Sequence, residues 1–226
     1  MRITGMIYMF TMVFSLNVLI LSSSAARYDY FQFTQQYQQA FCNSNPTPCK
    51  DPPDKLFTVH GLWPSTKVGR DPEYCKTKRY RKIQRLEPQL EIIWPNVSDR
   101  KANRGFWRKQ WYKHGSCASP ALPNQKHYFE TVIRMFLAEK QNVSRILSMA
   151  TIEPEGKNRT LLEIQNAIRA GTNNMIPKLK CQKVNGMTEL VEVTLCHDSN
   201  LTQFINCPRP LPRASPYFCP IDDIQY

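Results

Sequence analysis

The feature that most constrains the fold of this chain is its set of eight cysteines, all of which follow an apolar N-terminal stretch. An even cysteine count in an exported chain predicts four disulfide bonds. Zinc binding is the competing interpretation, but the chain lacks the CxxC pair that is typical of zinc sites. Spacing alone leaves the pairing open among Cys42, Cys49, Cys75, Cys117, Cys181, Cys196, Cys207 and Cys219.

Residues 1–27 have the layout of a secretory signal peptide. A basic start at Arg2 precedes an almost uncharged run from Ile3 to Leu21, and small residues follow up to Ala26. A retained membrane anchor is the alternative, but polar residues interrupt the run. We expect cleavage after Ala26 or Arg27 and a secreted, extracellular product that spans residues 28–226 without a membrane segment. Export makes N-glycan acceptors of four sequons, at Asn96, Asn142, Asn158 and Asn200.

The chain is strongly basic, with 30 Lys and Arg residues against 18 Asp and Glu residues. Such an excess favours an anionic partner, which could be nucleic acid, a polyanionic glycan or a membrane surface. Many of the cations lie in the segment Ser65–Arg85, which also holds turn residues and has little periodicity. We interpret this basic segment as exposed and irregular, and the alternative is a merely solvated surface.

Predicted helices in the middle of the chain and strands toward both ends indicate a single α+β domain with a largely antiparallel sheet. The helices are expected over 127–140, 143–150 and 160–171, the last with a capping box at Thr160. A strand is expected over 28–37, and a short one over 55–60 that ends at Gly61 and Pro64, followed by strands over 178–184, 188–197 and 201–207. Asn185-Gly186 predicts a type I′ hairpin turn between two of them.

Two stretches combine histidine with aromatic residues and glycine. The first is FTVHGLWP over 57–64, with His60 and Trp63, and the second is RGFWRKQWYKHGSC over 104–117. On a helix that ends near Gly115, four side chains of the second stretch share one face, namely Phe106, Gln110, Lys113 and His114. A purely structural amphipathic helix is the alternative for the second stretch. His127 and His197 lack such a setting, and we interpret both as structural.

Two histidines and a lysine favour acid–base chemistry on a substrate that brings its own nucleophile. Neither stretch carries a carboxylate ligand or paired histidines for a metal, so we expect neither a metal nor another cofactor. Ser116 has no nucleophile-elbow motif, and Cys117 is expected to be oxidised. RNA supplies an internal nucleophile, the 2′-hydroxyl beside the scissile phosphate. One imidazole would take its proton while the other protonates the departing 5′-oxygen, and Lys113 would stabilise the phosphoryl charge.

The two stretches resemble the active-site signatures of the T2 family of secreted ribonucleases. Within that family the chain is most similar to the self-incompatibility ribonucleases of the rose family, in which a basic, variable loop follows the first signature. The resemblance implies that His60 is the general acid, His114 the general base and Lys113 the residue that stabilises the transition state. The family usually has His-Glu where this chain has Lys109-Gln110, so Lys109 would bind phosphate and Gln110 would donate a hydrogen bond.

The resemblance also implies substrate-binding residues and disulfide pairs. The base-binding positions fall on Gln36, Val97, Ser98, Phe106 and Trp63. The implied pairs are Cys42–Cys49, Cys75–Cys117, Cys181–Cys219 and Cys196–Cys207. The implied function is metal-independent cleavage of single-stranded RNA to 2′,3′-cyclic phosphates by a monomer that acts as the pistil-side determinant of self-incompatibility. The alternatives are a catalytically weak recognition protein, which binds a pollen protein through Ser65–Arg85, and a general stress or phosphate-scavenging ribonuclease.

Overall fold

The structure, a computed structural model, describes residues 28–44, 48–75, 80–208, 212 and 215–226. The predicted signal peptide over 1–27 lies outside the described residues, as do Lys76, Lys78 and Arg79 of the basic segment. No helix within the described ranges is long and apolar enough to cross a membrane.

The described residues form one α+β unit whose elements we number in chain order. The strands are β1 (Tyr30–Tyr37), β2 (Phe57–Ser65), β3 (Asn158–Arg159), β4 (Lys178–Val184), β5 (Met187–Asp198), β6 (Phe204–Ile205) and β7 (Ile224–Gln225). The α-helices are α1 (Gln38–Ser44), α2 (Glu87–Ile93), α3 (Asn103–Lys113), α4 (Gln125–Leu137), α5 (Val143–Met149) and α6 (Leu161–Gly171).

The seven strands form one sheet, in which β5 is the central strand. The order is β2-β1-β5-β7-β3, and β4 and β6 also pair with β5. All strand pairs are antiparallel except β5 with β7. The predicted fold class, α+β with a largely antiparallel sheet, is therefore confirmed. The hairpin turn is confirmed too, since Asn185 and Gly186 have φ angles of 50° and 84° as a type I′ turn requires.

Two hydrophobic clusters hold the helices against the sheet. One joins the sheet to α5 and α6, where the Thr160 capping box is present as predicted. The other joins β1 and β2 to α2, α3 and α4, and it contains Trp94, Trp107, Tyr128 and Phe129. Because the indoles and rings of these four residues are fully buried, they fix α3 against β2.

The predicted C-terminal end of the second strand was wrong. The strand runs through Gly61 and Pro64 to Ser65 instead of stopping after His60. Proline is tolerated there because β2 lies at the edge of the described sheet, where Pro64 pairs with Phe31 and its missing N–H breaks no second ladder. His60 therefore lies inside a strand.

Three smaller expectations also differ from the structure. The helix α1 that follows β1 was not predicted, and its Ala40 is buried in the first cluster. The strand expected over 201–207 is reduced to β6, because Leu201 adopts a left-handed turn conformation with φ 59°. The short strands β3 and β7 were not predicted, since two-residue strands carry no readable alternation.

Four disulfide bonds close loops of very different length. They join Cys42 to Cys49, Cys75 to Cys117, Cys181 to Cys219 and Cys196 to Cys207, which are the pairs that the family resemblance implies. The second bond ties the basic segment to the short 3-10 helix that follows α3. The tail after β6 is held to β4 by the third.

Candidate active site

His60 is placed by a β-bulge in β2. In the pairing with β1, Thr34 lies opposite Gly61 while the next residue, Gln35, lies opposite Val59, so His60 is the extra residue. A bulge of this kind redirects a side chain and often occurs beside active sites. The backbone of His60 is held in this position by Trp94, whose indole N–H donates to the His60 carbonyl oxygen at 3.0 Å.

Trp63 packs against both histidines of the signatures. Its ring centroid is 5.1 Å from that of His60 and 5.4 Å from that of His114. The indole folds back over Gly61, where a Cβ atom would lie only 2.0 Å from Trp63 Nε1. Glycine is thus required at position 61 because the indole occupies the space of a side chain.

Helix α3 supplies the other half of the site. Gln110 is buried, and its Oε1 accepts a hydrogen bond of 3.2 Å from Trp63 Nε1. The helix ends at Lys113, and His114 caps it with its N–H donating to the Gln110 carbonyl at 3.0 Å. A side chain at Gly115 would collide with Trp111, so this turn can approach the core closely only with glycine.

His114 is held in its neutral form. Burial lowers the pKa of its imidazole, and the positive charges of Lys113 and His60 lower it further, to about 3. A neutral imidazole is the form that accepts a proton. His114 is therefore ready to act as a general base even in acidic solution.

Lys113 contacts the basic segment through both its side chain and its backbone. Its Nζ lies 3.1 Å from Glu73 Oε1, and the Tyr74 N–H donates to the Lys113 carbonyl at 3.0 Å. Both charged side chains are partly exposed, so the ion pair is weak and can open. The basic segment Ser65–Arg85 thereby contacts the end of the helix that carries the site.

The remaining predicted substrate residues differ in how deeply they are buried. Gln36 is buried on β1 opposite Thr58, two residues before His60, and its Nε2 has no hydrogen-bond partner among the described residues. Val97 is buried, Ser98 is half-buried, and Phe106 packs its ring edge-on against Trp94 at 6.3 Å. Lys109 is exposed on α3.

Sequence reasoning missed one site residue, Glu192 on β5. Its Oε1 lies 2.9 Å from His60 Nδ1 and 3.5 Å from Lys180 Nζ. Burial raises the pKa of the Glu192 carboxyl, but the hydrogen bond and charge of His60, together with Lys180, bring it below its ordinary value. The only signal in the sequence was a carboxylate between the apolar residues Val191 and Val193 of a predicted strand.

The two other histidines lie away from this centre. His197 is buried on β5 and packs on Phe204 with ring centroids 4.7 Å apart, and burial lowers its pKa to about 4. His127 lies in the first turn of α4, where its N–H donates to the capping Asn124. Among the residues that the structure describes, no group of three His, Cys, Asp or Glu side chains is placed to hold a metal ion.

The sequons differ in accessibility. Asn142 is buried, its Oδ1 caps α5 by accepting from the Arg145 N–H, and its Nδ2 donates to the Phe136 carbonyl at 3.4 Å. Asn158 and Asn200 are exposed, and Asn96 is half-buried.

A cavity of about 950 Å³ lies beside α3, and neither His60 nor His114 lines it. It is lined by Trp111 of α3, by the end of the basic segment and by the start of α4. Its cations are Arg81, Lys82, Arg85 and Lys126.

A neutral imidazole, a second imidazole bonded to a carboxylate and a nearby ammonium group define an acid–base enzyme that acts on an anionic substrate without a protein nucleophile. Comparison with known proteins identifies the family to which this enzyme belongs. The family model described as the Ribonuclease T2 family matches residues 28–207, and the chain belongs to this family. It is an RNA endonuclease.

Its relatives include ribonucleases from pear. The chain is 99% identical over 221 residues to Ribonuclease S-2 of Pyrus pyrifolia, a match that covers 98% of this chain and 100% of the relative. The crystal structure of Japanese pear S3-RNase is similar with a TM-score of 0.85 and 64% identity, over 88% of this chain and 100% of that one. A mutant of RNase MC1 in complex with 5′-GMP is similar with a TM-score of 0.75 and 28% identity, over 88% and 100%.

Proposed function

We propose that this ribonuclease cleaves single-stranded RNA by transphosphorylation, without a metal, and leaves a 2′,3′-cyclic phosphate. The observation that carries the proposal is the pair of imidazoles that both pack against the Trp63 indole, of which His114 is held neutral. A base and an acid on opposite sides of one phosphodiester are what an in-line displacement by the 2′-hydroxyl needs.

In this mechanism His114 removes the proton of the 2′-hydroxyl as its oxygen bonds to phosphorus. The protonated His60 gives a proton to the 5′-oxygen as the P–O5′ bond breaks. Lys113, released from Glu73 by the phosphate, stabilises the charge that grows on the non-bridging oxygens. Gln110 holds the Trp63 indole through its Oε1 and has its Nε2 left to donate to a phosphoryl oxygen.

Base recognition is proposed for Gln36, Val97, Ser98 and Phe106. The unpaired Nε2 of Gln36 supports this, because a buried amide without a partner is costly unless a ligand satisfies it. Phe106 offers a half-buried ring on which a base can stack. Val97 and Ser98 lie in a turn a few residues before α3. Lys109 adds an exposed cation for the phosphate backbone.

The test uses purified protein and RNA in the presence of EDTA. The wild type should cleave, while His60→Asn and His114→Asn should each lose about 100-fold or more in rate. Equal, negligible cleavage by all three proteins would contradict the catalytic proposal. Loss of wild-type cleavage on chelation would contradict the metal-free mechanism. A Gln110→Glu variant should bind RNA as the wild type does but shift its pH profile, because it adds a group that carries a proton.

The proposed biological role is that of a secreted, monomeric glycoprotein of the style, which rejects self pollen by degrading pollen RNA. The high identity to Ribonuclease S-2 of pear supports this role. The protein should accumulate in styles, and plants that lack it there should accept self pollen. Equal accumulation in leaves under phosphate starvation would favour the scavenging role instead.

Recognition by a pollen protein is proposed for the basic segment and the adjoining cavity. The cations at the cavity wall favour a partner with an acidic surface. A double charge reversal, Arg81→Glu with Arg85→Glu, should weaken pollen rejection or partner binding while RNA cleavage in vitro remains. Lys140→Glu is a matched control because Lys140 is exposed and does not line the cavity.

A further inference from the structure

Glu192 occupies an unusual position for a carboxylate. It lies on the central strand β5, directly opposite Gln36 on β1 and Lys180 on β4, and its side chain is 12% exposed. A carboxylate removed from water in this way is costly unless it is paired. Its partners are His60 and Lys180, so its location is explained by one residue of the site and one cation beside it.

The contact between Glu192 and His60 spans a whole strand. His60 lies on β2 and Glu192 on β5, and β1 runs between them, so the two backbones are about 10 Å apart. Thr58 lies opposite Gln36, and His60, two residues further along β2, points to the same face of the sheet as Gln36 and Glu192, so the two side chains can meet across β1.

A second cation completes the arrangement. The Lys180 ammonium lies 3.5 Å from Glu192 Oε1 and 4.4 Å from the ring centroid of Tyr217. The aromatic face and the carboxylate thus hold the ammonium between them. Lys180 in turn favours the ionised form of Glu192, which accepts hydrogen bonds but cannot donate them.

We propose that Glu192 is a positioning residue for the general acid His60. An ionised carboxylate at Nδ1 requires that this nitrogen carry a proton, which leaves Nε2 as the nitrogen that exchanges its proton with the substrate. When Nε2–H is given to the departing 5′-oxygen, the imidazole becomes neutral and keeps the Nδ1–H bond to Glu192. The inference rests on the proposed function, since it assigns a partner to the acid of that mechanism.

The leaving group provides the sharpest test. Two nucleoside 3′-phosphodiesters with the same first nucleoside are compared, one with a second nucleoside as leaving group and one with 4-nitrophenol, which departs without a proton. For Glu192→Gln we expect kcat on the dinucleotide to fall about 10- to 100-fold, by analogy with the loss when a partner that orients a metal-bound histidine is removed. On the nitrophenyl ester kcat should change less than about threefold, because protonation of the leaving group is then not needed.

The matched control is Glu189→Gln on the same strand. Glu189 also accepts a side-chain hydrogen bond, from Asn43 at 2.6 Å, but it does not contact the site. It should leave kcat on both substrates unchanged. In a His60→Ala background, Glu192→Gln should cause no further loss on the dinucleotide, since a positioning residue has nothing left to position.

Two measurements keep the inference testable should Glu192→Gln fold poorly. Lys180→Gln should give a smaller loss of kcat that is again confined to the dinucleotide. Nitrogen-15 NMR of the wild type should find the neutral His60 ring protonated on Nδ1. Protonation on Nε2, or equal losses on both substrates, would overturn the inference while leaving the ribonuclease mechanism intact. A wild type that cleaves neither substrate would overturn the proposed function and this inference with it.

Discussion

The replacement of Gly61 by alanine tests whether the position of Trp63 controls the site. An alanine Cβ would lie 2.0 Å from Trp63 Nε1, 2.5 Å from Cε2 and 2.9 Å from Cζ2. Ordinary contact between such atoms is about 3.5 Å, so the indole must retreat by roughly 1.5 Å. That movement breaks the 3.2 Å hydrogen bond to Gln110 and displaces the ring that packs against both histidines.

The magnitude follows from these distances. Overpacking of this kind costs about 1–3 kcal/mol of the free energy of unfolding, and the lost freedom of the unfolded chain offsets about 0.4–1 kcal/mol of it. A displacement of about 1 Å in a catalytic arrangement costs about 100-fold in rate. We therefore expect Gly61→Ala to remain folded at room temperature while its kcat on RNA falls by about two orders of magnitude.

The assay combines RNA cleavage with thermal unfolding. Gly105→Ala is the matched control, because nothing lies within 4 Å of a Cβ at this position on α3, and it should keep full activity. In a Trp63→Phe background the penalty of Gly61→Ala should shrink, since the three closest atoms belong to the indole. Activity of Gly61→Ala within twofold of the wild type would refute the role assigned to Trp63.

Three further predictions concern the rest of the molecule. The acidic limb of the pH profile of kcat/KM reports the pKa of His114 and should lie near pH 3, because protonation inactivates the base only as the pH falls to this lowered pKa. Lys113→Gln should move this limb to higher pH, because it removes a positive charge that lowers the His114 pKa, and a pH–rate profile checks both expectations. Glu73→Gln should raise kcat/KM up to about fivefold by releasing Lys113, since a partly exposed ion pair is worth less than about 1 kcal/mol; an unchanged kcat/KM would contradict this. Glycopeptide mass spectrometry should find no glycan on Asn142, whose side chain is buried and hydrogen-bonded at both ends, while exposed Asn200 is open to modification.

The local patterns were predicted well because their causes are local. The capping box at Thr160 and the turn at Asn185-Gly186 depend on residues only a few positions apart, and both are present. Helix α3, which carries Gln110 and Lys113 and is capped by His114, follows from spacings of three and four. The sheet class follows from the grouping of predicted strands toward both ends of the chain and of helices in the middle.

The missed features depend on distant partners. Gly61 and Pro64 indicate a strand end when only neighbours in the chain are considered, yet the edge position of β2 allows the strand to continue. Glu192 is 132 residues from His60, and its charge on a strand is typical of a solvated face until the sheet brings the two together. The ion pair between Glu73 and Lys113 was invisible for the same reason.

The presence of Gln110, where the family usually has glutamate, is consistent with the geometry around it. Trp63 Nε1 needs an acceptor, and an amide oxygen serves as well as a carboxylate would. The two differ in charge, because a carboxylate at this position would offset the positive charges of Lys113 and His60 that help to lower the His114 pKa. A neutral amide leaves that effect undiminished. Glutamine therefore keeps the indole in place and favours a base that stays unprotonated in acidic solution, at the expense of a second group that can carry a proton.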